Sequence, residues 1–253
     1  MRPIITAFRF LTILPIPVRG TASEHELGQA VAYFPLVGVV LGAVLAVASW
    51  GLSQIFPAHV TAVLILVLWV VLSGALHLDA WLDACDGIFG GQTPEQRLHI
   101  MRDERIGAFA LAGGVLLLLS KYAALAEQLS GSALPLSHGL RWPLFLLLPS
   151  TLGRFAMSLA IVGFPYARAQ GLGRVFKDQA GWSEVAIAGG IALAMATAVA
   201  GLPGVLLWAG TISLTWLLAR WTLRRLPGLT GDIYGALCEI VELVVLLVWT
   251  AGA

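Results

Sequence analysis

Long apolar runs alternate with short polar ones along most of this 253-residue chain. Seven runs read as membrane spans: Ala32–Leu52, His59–Leu78, Ile106–Ala126, Trp142–Phe164, Val185–Gly201, Gly204–Ala219 and Ile233–Thr250. About 20 apolar residues cross a bilayer, so the fifth and sixth are short for the task. Gly201-Leu202-Pro203-Gly204 predicts a tight turn between those two, and hence a helical hairpin. Ahead of the first span, Met1 to Pro17 carries Arg2 and Arg9, is broken by Pro15 and Pro17, and lacks a small-residue cleavage site. That pattern predicts an interfacial helix with its apolar side in the lipid rather than a secretory signal. Ser23 followed by Glu26 predicts a capping box and a helix start. The fold class is therefore all-α: a polytopic integral membrane protein of about seven transmembrane helices with an N-terminal interfacial helix. Nothing divides residues 1–253 into two domains.

Composition agrees. The chain is 58% hydrophobic and 11% charged, where a soluble domain carries about 25% charge. A net charge of +1 and no basic run longer than Arg224-Arg225 exclude a nucleic-acid footprint. The two cysteines, Cys85 and Cys238, have no CxxC spacing, and Cys85 reads as a packing residue. Small residues recur in the spans, with Gly38 and Gly42 forming a GxxxG that allows close helix approach. The basic residues set an orientation. Twelve of them (Arg2, Arg9, Arg19; Arg97, Arg102, Arg105; Arg168, Arg174, Lys177; Arg220, Arg224, Arg225) fall on one side, and only Arg141 on the other. By the positive-inside rule the N-terminus and the even loops are cytoplasmic, and seven spans put the C-terminus outside.

One stretch breaks the apolar pattern in a way that carries chemistry. Gly74 to Phe109 holds six of the fourteen acidic residues: Asp79, Asp83, Asp86, Glu95, Asp103 and Glu104. Asp79, Asp83 and Asp86 stand at i, i+4 and i+7, so on a helix their carboxylates share a face. Stacked carboxylates repel, and hard oxygen donors in that arrangement suit Mg2+; the alternative is a solvated helix end. Gly87 to Gly91 is expected to break this helix. Thr93-Pro94-Glu95-Gln96 then starts a short cytoplasmic one, running to about Asp103. Asp103 and Asp232 are expected near the metal.

Inside the apolar runs lie Lys121, Arg154, Glu239 and Glu242. Charge in a bilayer faces the bundle interior and usually serves function. Lys121 sits near the outer end of its span, where it can snorkel. Glu239, seven residues after Asp232, is a candidate to share the metal site; the alternative is an Arg154–Glu242 ion pair that ties two helices together. Carboxylates with flanking arginines at the inner face suit metal-assisted phosphoryl transfer. There is no Walker loop and no GxGxxG. Arg102 and Arg105 are expected to grip a diphosphate, with Arg168 and Arg174 as outer contacts.

Ordered motifs then resemble a known family. His77-Leu78-Asp79, Asp83-Ala84-Cys85-Asp86-Gly87 and Ile100-Met101-Arg102-Asp103-Glu104-Arg105-Ile106-Gly107-Ala108-Phe109 are similar to cobalamin synthase, the adenosylcobinamide-GDP ribazoletransferase family. Phe10-Leu11-Thr12, Leu14-Pro15-Ile16-Pro17, Phe34-Pro35-Leu36-Val37-Gly38, Gly153-Arg154, Pro165-Tyr166-Ala167-Arg168, Gly171-Leu172-Gly173, Thr230-Gly231-Asp232 and Gly235-Ala236 follow in order. Departures are small: Ala80-Trp81-Leu82 stands for the family's Gly-Leu-Ala, and Ala110 and Pro227 each replace a glycine. Trp81, beside the site, bears on substrate preference. The resemblance implies a Mg2+-dependent, membrane-bound transferase joining adenosylcobinamide-GDP to alpha-ribazole, or its 5′-phosphate, with release of GMP. With it the expected site is catalytic Asp83, Asp86 and Asp103; substrate-binding His77, Arg102, Arg105, Arg154, Arg168 and Arg174; and metal-binding Asp79, Asp83, Asp86, Asp103, Asp232 and Glu239. It also implies a bacterial inner membrane location with membrane lipid as neighbour, and leaves homo-oligomerisation open. The acidic pattern also looks like a looser CDP-alcohol phosphotransferase motif, which is the alternative. A secondary transporter is the reading of a different class; it would show an internal repeat and charge at the midplane, and the sequence has no such repeat.

Overall fold

The computed structural model describes residues 2–17, 20–131 and 141–251; Arg19 of the basic N-terminal segment lies outside them. The helices are α1 (Arg2–Leu11), α2 (Glu24–Ala30), α3 (Phe34–Ser53), α4 (Ala58–Leu72), α5 (Leu76–Cys85), α6 (Pro94–Ile100) and α7 (Ala108–Gly131), followed by α8 (Arg141–Leu144), α9 (Leu147–Gly163), α10 (Leu172–Gln179), α11 (Trp182–Ala200), α12 (Leu202–Leu223) and α13 (Gly231–Ala251). The all-α expectation holds among the described residues. Five helical stretches are long and apolar enough to cross a membrane: Glu24–Ser53, Ala108–Ser130, Trp182–Ala200, Leu202–Leu223 and Gly231–Ala251.

The expected second and fourth spans are corrected. The second is not one helix through Leu78: α4 stops at Leu72, and the chain turns 91° into Leu76–Gly90. The turn takes Gly74 to φ 61° and Ala75 to φ 55°, the left-handed region that glycine enters freely and alanine does not. Ile13 N–H donates to the Leu72 carbonyl at 3.0 Å, so the segment after α1 caps the broken end. The fourth begins with the short α8 and continues as α9, 17 residues long, about 26 Å at 1.5 Å per residue and at the lower limit for a span.

α9 is the centre of the bundle, packed by α3, α11, α12 and α13. Leu148, Leu152, Phe155 and Ala156 meet Ala188, Ala192 and Ala196 of α11 and Val241 and Val245 of α13. The GxxxG of α3 makes its approach here: a Cβ on Gly38 would collide with the Ser150 carbonyl, and one on Gly42 would lie 2.6 Å from Leu147 Cα. The hairpin at Gly201 is present, with α12 starting at Leu202. α1 forms as expected, and part of its apolar side packs on protein, with Ala7 and Leu11 buried. Phe10 packs against Phe34 and Phe176, with ring centroids 5.9 and 4.9 Å away. The capping boxes at Ser23/Glu26 and Thr93/Gln96 both form. Asp86–Gly90 continues α5 as one π-helical turn before Gly91 ends it, so the glycines end the helix one turn later than expected.

Candidate active site

The 91° break after α4 turns α5 out of line with it, and α5 packs against α13 and α7. A cavity of about 390 Å³ opens between α5, the start of α13, the 165–173 segment and α1. Two polar segments are stitched together at its edge. Ala167 N–H donates to the Leu229 carbonyl and Leu229 N–H to the Pro165 carbonyl, each at 2.8 Å. This pairing sets Arg168 beside Asp232, whose Oδ2 accepts from Arg168 Nη2 at 2.7 Å and from the Thr230 hydroxyl at 3.2 Å. The same Thr230 hydroxyl accepts from Ile233 N–H, fixing the first turn of α13. Tyr166 stacks on Tyr234 across the cavity wall, centroids 6.1 Å apart.

Of the sequence-predicted residues, the cavity gathers His77, Asp79, Arg102, Arg168 and Asp232. Asp83, half-buried one turn further along α5, stands within electrostatic reach of Asp79, Asp232 and Asp86, with Arg168 as the opposing charge. The remaining candidates have other partners. Both oxygens of Asp86 are used by backbone donors, Gly107 N–H at 2.6 Å and Ala110 N–H at 2.8 Å. Asp86 therefore supplies the anion at the N-terminus of α7, where orphan N–H groups and the helix dipole favour one. Asp103 accepts from Arg105 N–H and Nε, both at 3.1 Å. These hydrogen bonds from Arg105 hold its carboxyl below the usual carboxylate range. Neither Asp103 nor Arg105 lines the cavity, and Arg174 pairs with Asp178 at 2.7 Å on the surface.

Glu239 is likewise not with the aspartates. It accepts from Lys121 at 2.5 Å, and Lys121 also donates to Glu242 at 2.5 Å. Glu242 in turn accepts from Arg154 and from the Cys238 thiol. Of the two readings for Lys121, the bundle interior rather than snorkelling is what forms: it is 3% exposed, and Arg154 is fully buried. The helix-tying alternative is thus what forms, enlarged to two acids and two bases from α7, α9 and α13. Each ion is desolvated, and only the near-neutral set as a whole makes its burial tolerable. Arg154 reaches the cavity only through His77, with Nη2 lying 3.3 Å from its Nδ1.

Sequence reasoning missed Tyr166 and Tyr234 as cavity walls, and Lys121 as a partner of Glu239. Pro165-Tyr166-Ala167-Arg168 and Thr230-Gly231-Asp232 were visible as short polar motifs, but their pairing depends on two loops about sixty residues apart in sequence.

Among the described residues no three His, Cys, Asp or Glu side chains converge closely enough to enclose a metal ion. The donor chemistry still fits Mg2+, which is usually held by one or two carboxylates, waters and substrate phosphates rather than by an all-protein cage. Asp79 and Asp232 on one cavity supply such a pair.

The model of the cobalamin-5-phosphate synthase family matches residues 3–250. The chain belongs to that family. The match takes in every residue that lines the cavity, from Phe10 to Gly235. Relatives named adenosylcobinamide-GDP ribazoletransferase include one from Roseiflexus sp. (strain RS-1), 41% identical over 99% of this chain and 90% of its own length. One from Desulforamulus reducens is 40% identical over 97% of this chain and 95% of its own length. A third, from Pseudomonas syringae pv. syringae, is 39% identical over 98% of each. No solved structure matches the chain.

Proposed function

We propose that this protein is a membrane-embedded adenosylcobinamide-GDP ribazoletransferase. It joins adenosylcobinamide-GDP to alpha-ribazole, or its 5′-phosphate, and releases GMP. The observation that carries the reading is one cavity lined by two carboxylates, Asp79 and Asp232, together with two arginines, Arg102 and Arg168. Arg168 keeps a buried Nε with no partner while its Nη2 holds Asp232, so it retains a donor for a phosphate oxygen. Arg102, exposed at the same cavity, supplies the second guanidinium, able to bridge two phosphate oxygens. Asp79 and Asp232 are the pair that would hold Mg2+, with Asp83 adding negative charge one turn along α5. When bound, that ion would neutralise phosphoanhydride oxygens.

The orientation goes with this reading. Twelve basic residues against one on the sequence-derived sides support a bacterial inner membrane protein whose cavity faces the cytoplasm and whose C-terminus lies outside. That topology needs α9 and the broken α4 to count as short crossings beside the five full ones.

Purified protein in detergent, given adenosylcobinamide-GDP, alpha-ribazole and Mg2+ and no gradient, should release one GMP per cobalamin formed. Absence of both products, with the protein folded, would overturn the assignment; formation of both also excludes an obligate transport role.

A further inference from the structure

His77 is 1% exposed on α5 and lines the cavity beside Asp79. Its Nδ1 lies 3.3 Å from Arg154 Nη2. A guanidinium has only donors, so Nδ1 must be the acceptor and carries no proton. In the neutral ring the proton then sits on Nε2. His77 Nε2 is buried and has no hydrogen-bond partner within the protein. Such a donor is costly to leave unsatisfied, and a ligand acceptor in the cavity would satisfy it. Arg154 is itself fixed from the far side: Glu242 and the Ser150 carbonyl accept from its Nη1, and Lys121 anchors Glu242. The buried ion cluster therefore ends in one neutral, oriented N–H at the cavity wall. Tyr234, 3% exposed, lines the same cavity and also has a hydroxyl without partner.

We propose that His77 donates its Nε2–H to a non-bridging oxygen of the phosphoryl group being transferred, and that Arg154, held by Glu242, is the positioning residue that sets this tautomer. The proposal rests on the transferase reading above. In the transfer, the substrate hydroxyl oxygen bonds to the cobinamide-linked phosphorus. The bond from that phosphorus to the GMP oxygen breaks, and its electron pair leaves with GMP. The hydroxyl proton passes to a cavity carboxylate, and His77 keeps its own. A neutral donor tightens as negative charge builds on the oxygen, with no cation added beside Arg102 and Arg168.

The test combines ring-labelled 15N-histidine spectra in detergent with steady-state kinetics. One of five histidine signals is assigned by its loss in His77→Gln. That signal should show the neutral Nε2–H tautomer, and Arg154→Gln should let the Nδ1–H form appear. His77→Phe should lower kcat about a hundredfold with KM for the GDP substrate little changed, and His77→Gln, which keeps an N–H, should recover at least about tenfold of that. An imidazolium or an Nδ1–H tautomer in the wild type would overturn the proposal. So would a kcat for His77→Phe within about threefold of wild type. Should His77→Phe not fold, the wild-type ring spectrum and the His77→Gln rate decide. Should the wild type make no cobalamin, the transferase reading fails with it, and the phosphoryl contact is overturned too; the ring spectrum separately decides the tautomer.

Discussion

Lys121 is the place to perturb the buried cluster, because its removal leaves a defined charge behind. In the native protein Lys121 holds Glu239 and Glu242, while Arg154 also holds Glu242. Lys121→Met strands Glu239, whose one ion-pair partner among the described residues is that lysine, inside a helix packed in the bundle core. Breaking a buried pair by removing one partner costs about 3–5 kcal/mol. At about 2–4 °C per kcal/mol for a chain of this size, the unfolding midpoint should fall by roughly 10 °C. Lys121→Met combined with Glu239→Gln removes the charges together and leaves the Arg154–Glu242 pair. The double variant should regain more than half of the lost midpoint, since replacing a whole buried pair is often near neutral. The assay is thermal unfolding of detergent-solubilised protein followed by tryptophan fluorescence. Equal midpoints for the single and double variants would refute the reasoning, because the cost would then lie in lost packing and not in an unpaired charge.

Other consequences follow from the placements. Arg102→Lys should cost about a hundred- to thousandfold in kcat, since Arg102 lines the cavity. Arg105→Lys should stay within about threefold, because Arg105 pairs with Asp103 outside it; the reverse order in turnover assays would contradict the placement. Asp86→Asn should lower the unfolding midpoint by several degrees, as hydrogen bonds to a charged acceptor are worth about 1.5–3 kcal/mol and Asp86 takes two from the start of α7; an unchanged midpoint would remove its capping role. Cysteines placed at positions 92–96, in a background lacking Cys85 and Cys238, should resist labelling from outside intact cells, and ready labelling would reverse the orientation.

Much of this was legible because two periodicities dominate the chain. Twenty-residue apolar runs gave most of the helices, and the i, i+4, i+7 aspartates pointed to α5. What the pattern missed depends on backbone geometry and tertiary partners. The left-handed Gly74-Ala75 turn sits inside an apolar run and leaves hydropathy unchanged, so α4 and α5 read as one span. Asp86 has the spacing of a ligand, yet α7 brings two N–H groups to it from about twenty residues away. Glu239 and Asp232 share a helix face in sequence, yet the roughly 10 Å of helix between them leaves one in the cavity wall and the other with Lys121.

The central claim is that transfer takes place in the cavity walled by Asp79 and Asp232. The most direct measurement is cobalamin and GMP formation by purified wild type, Asp79→Asn and Asp232→Asn, each with its unfolding midpoint. The account predicts that both variants stay folded and lose turnover by at least about a hundredfold. Folded Asp79→Asn and Asp232→Asn proteins that turn over at the wild-type rate would contradict it.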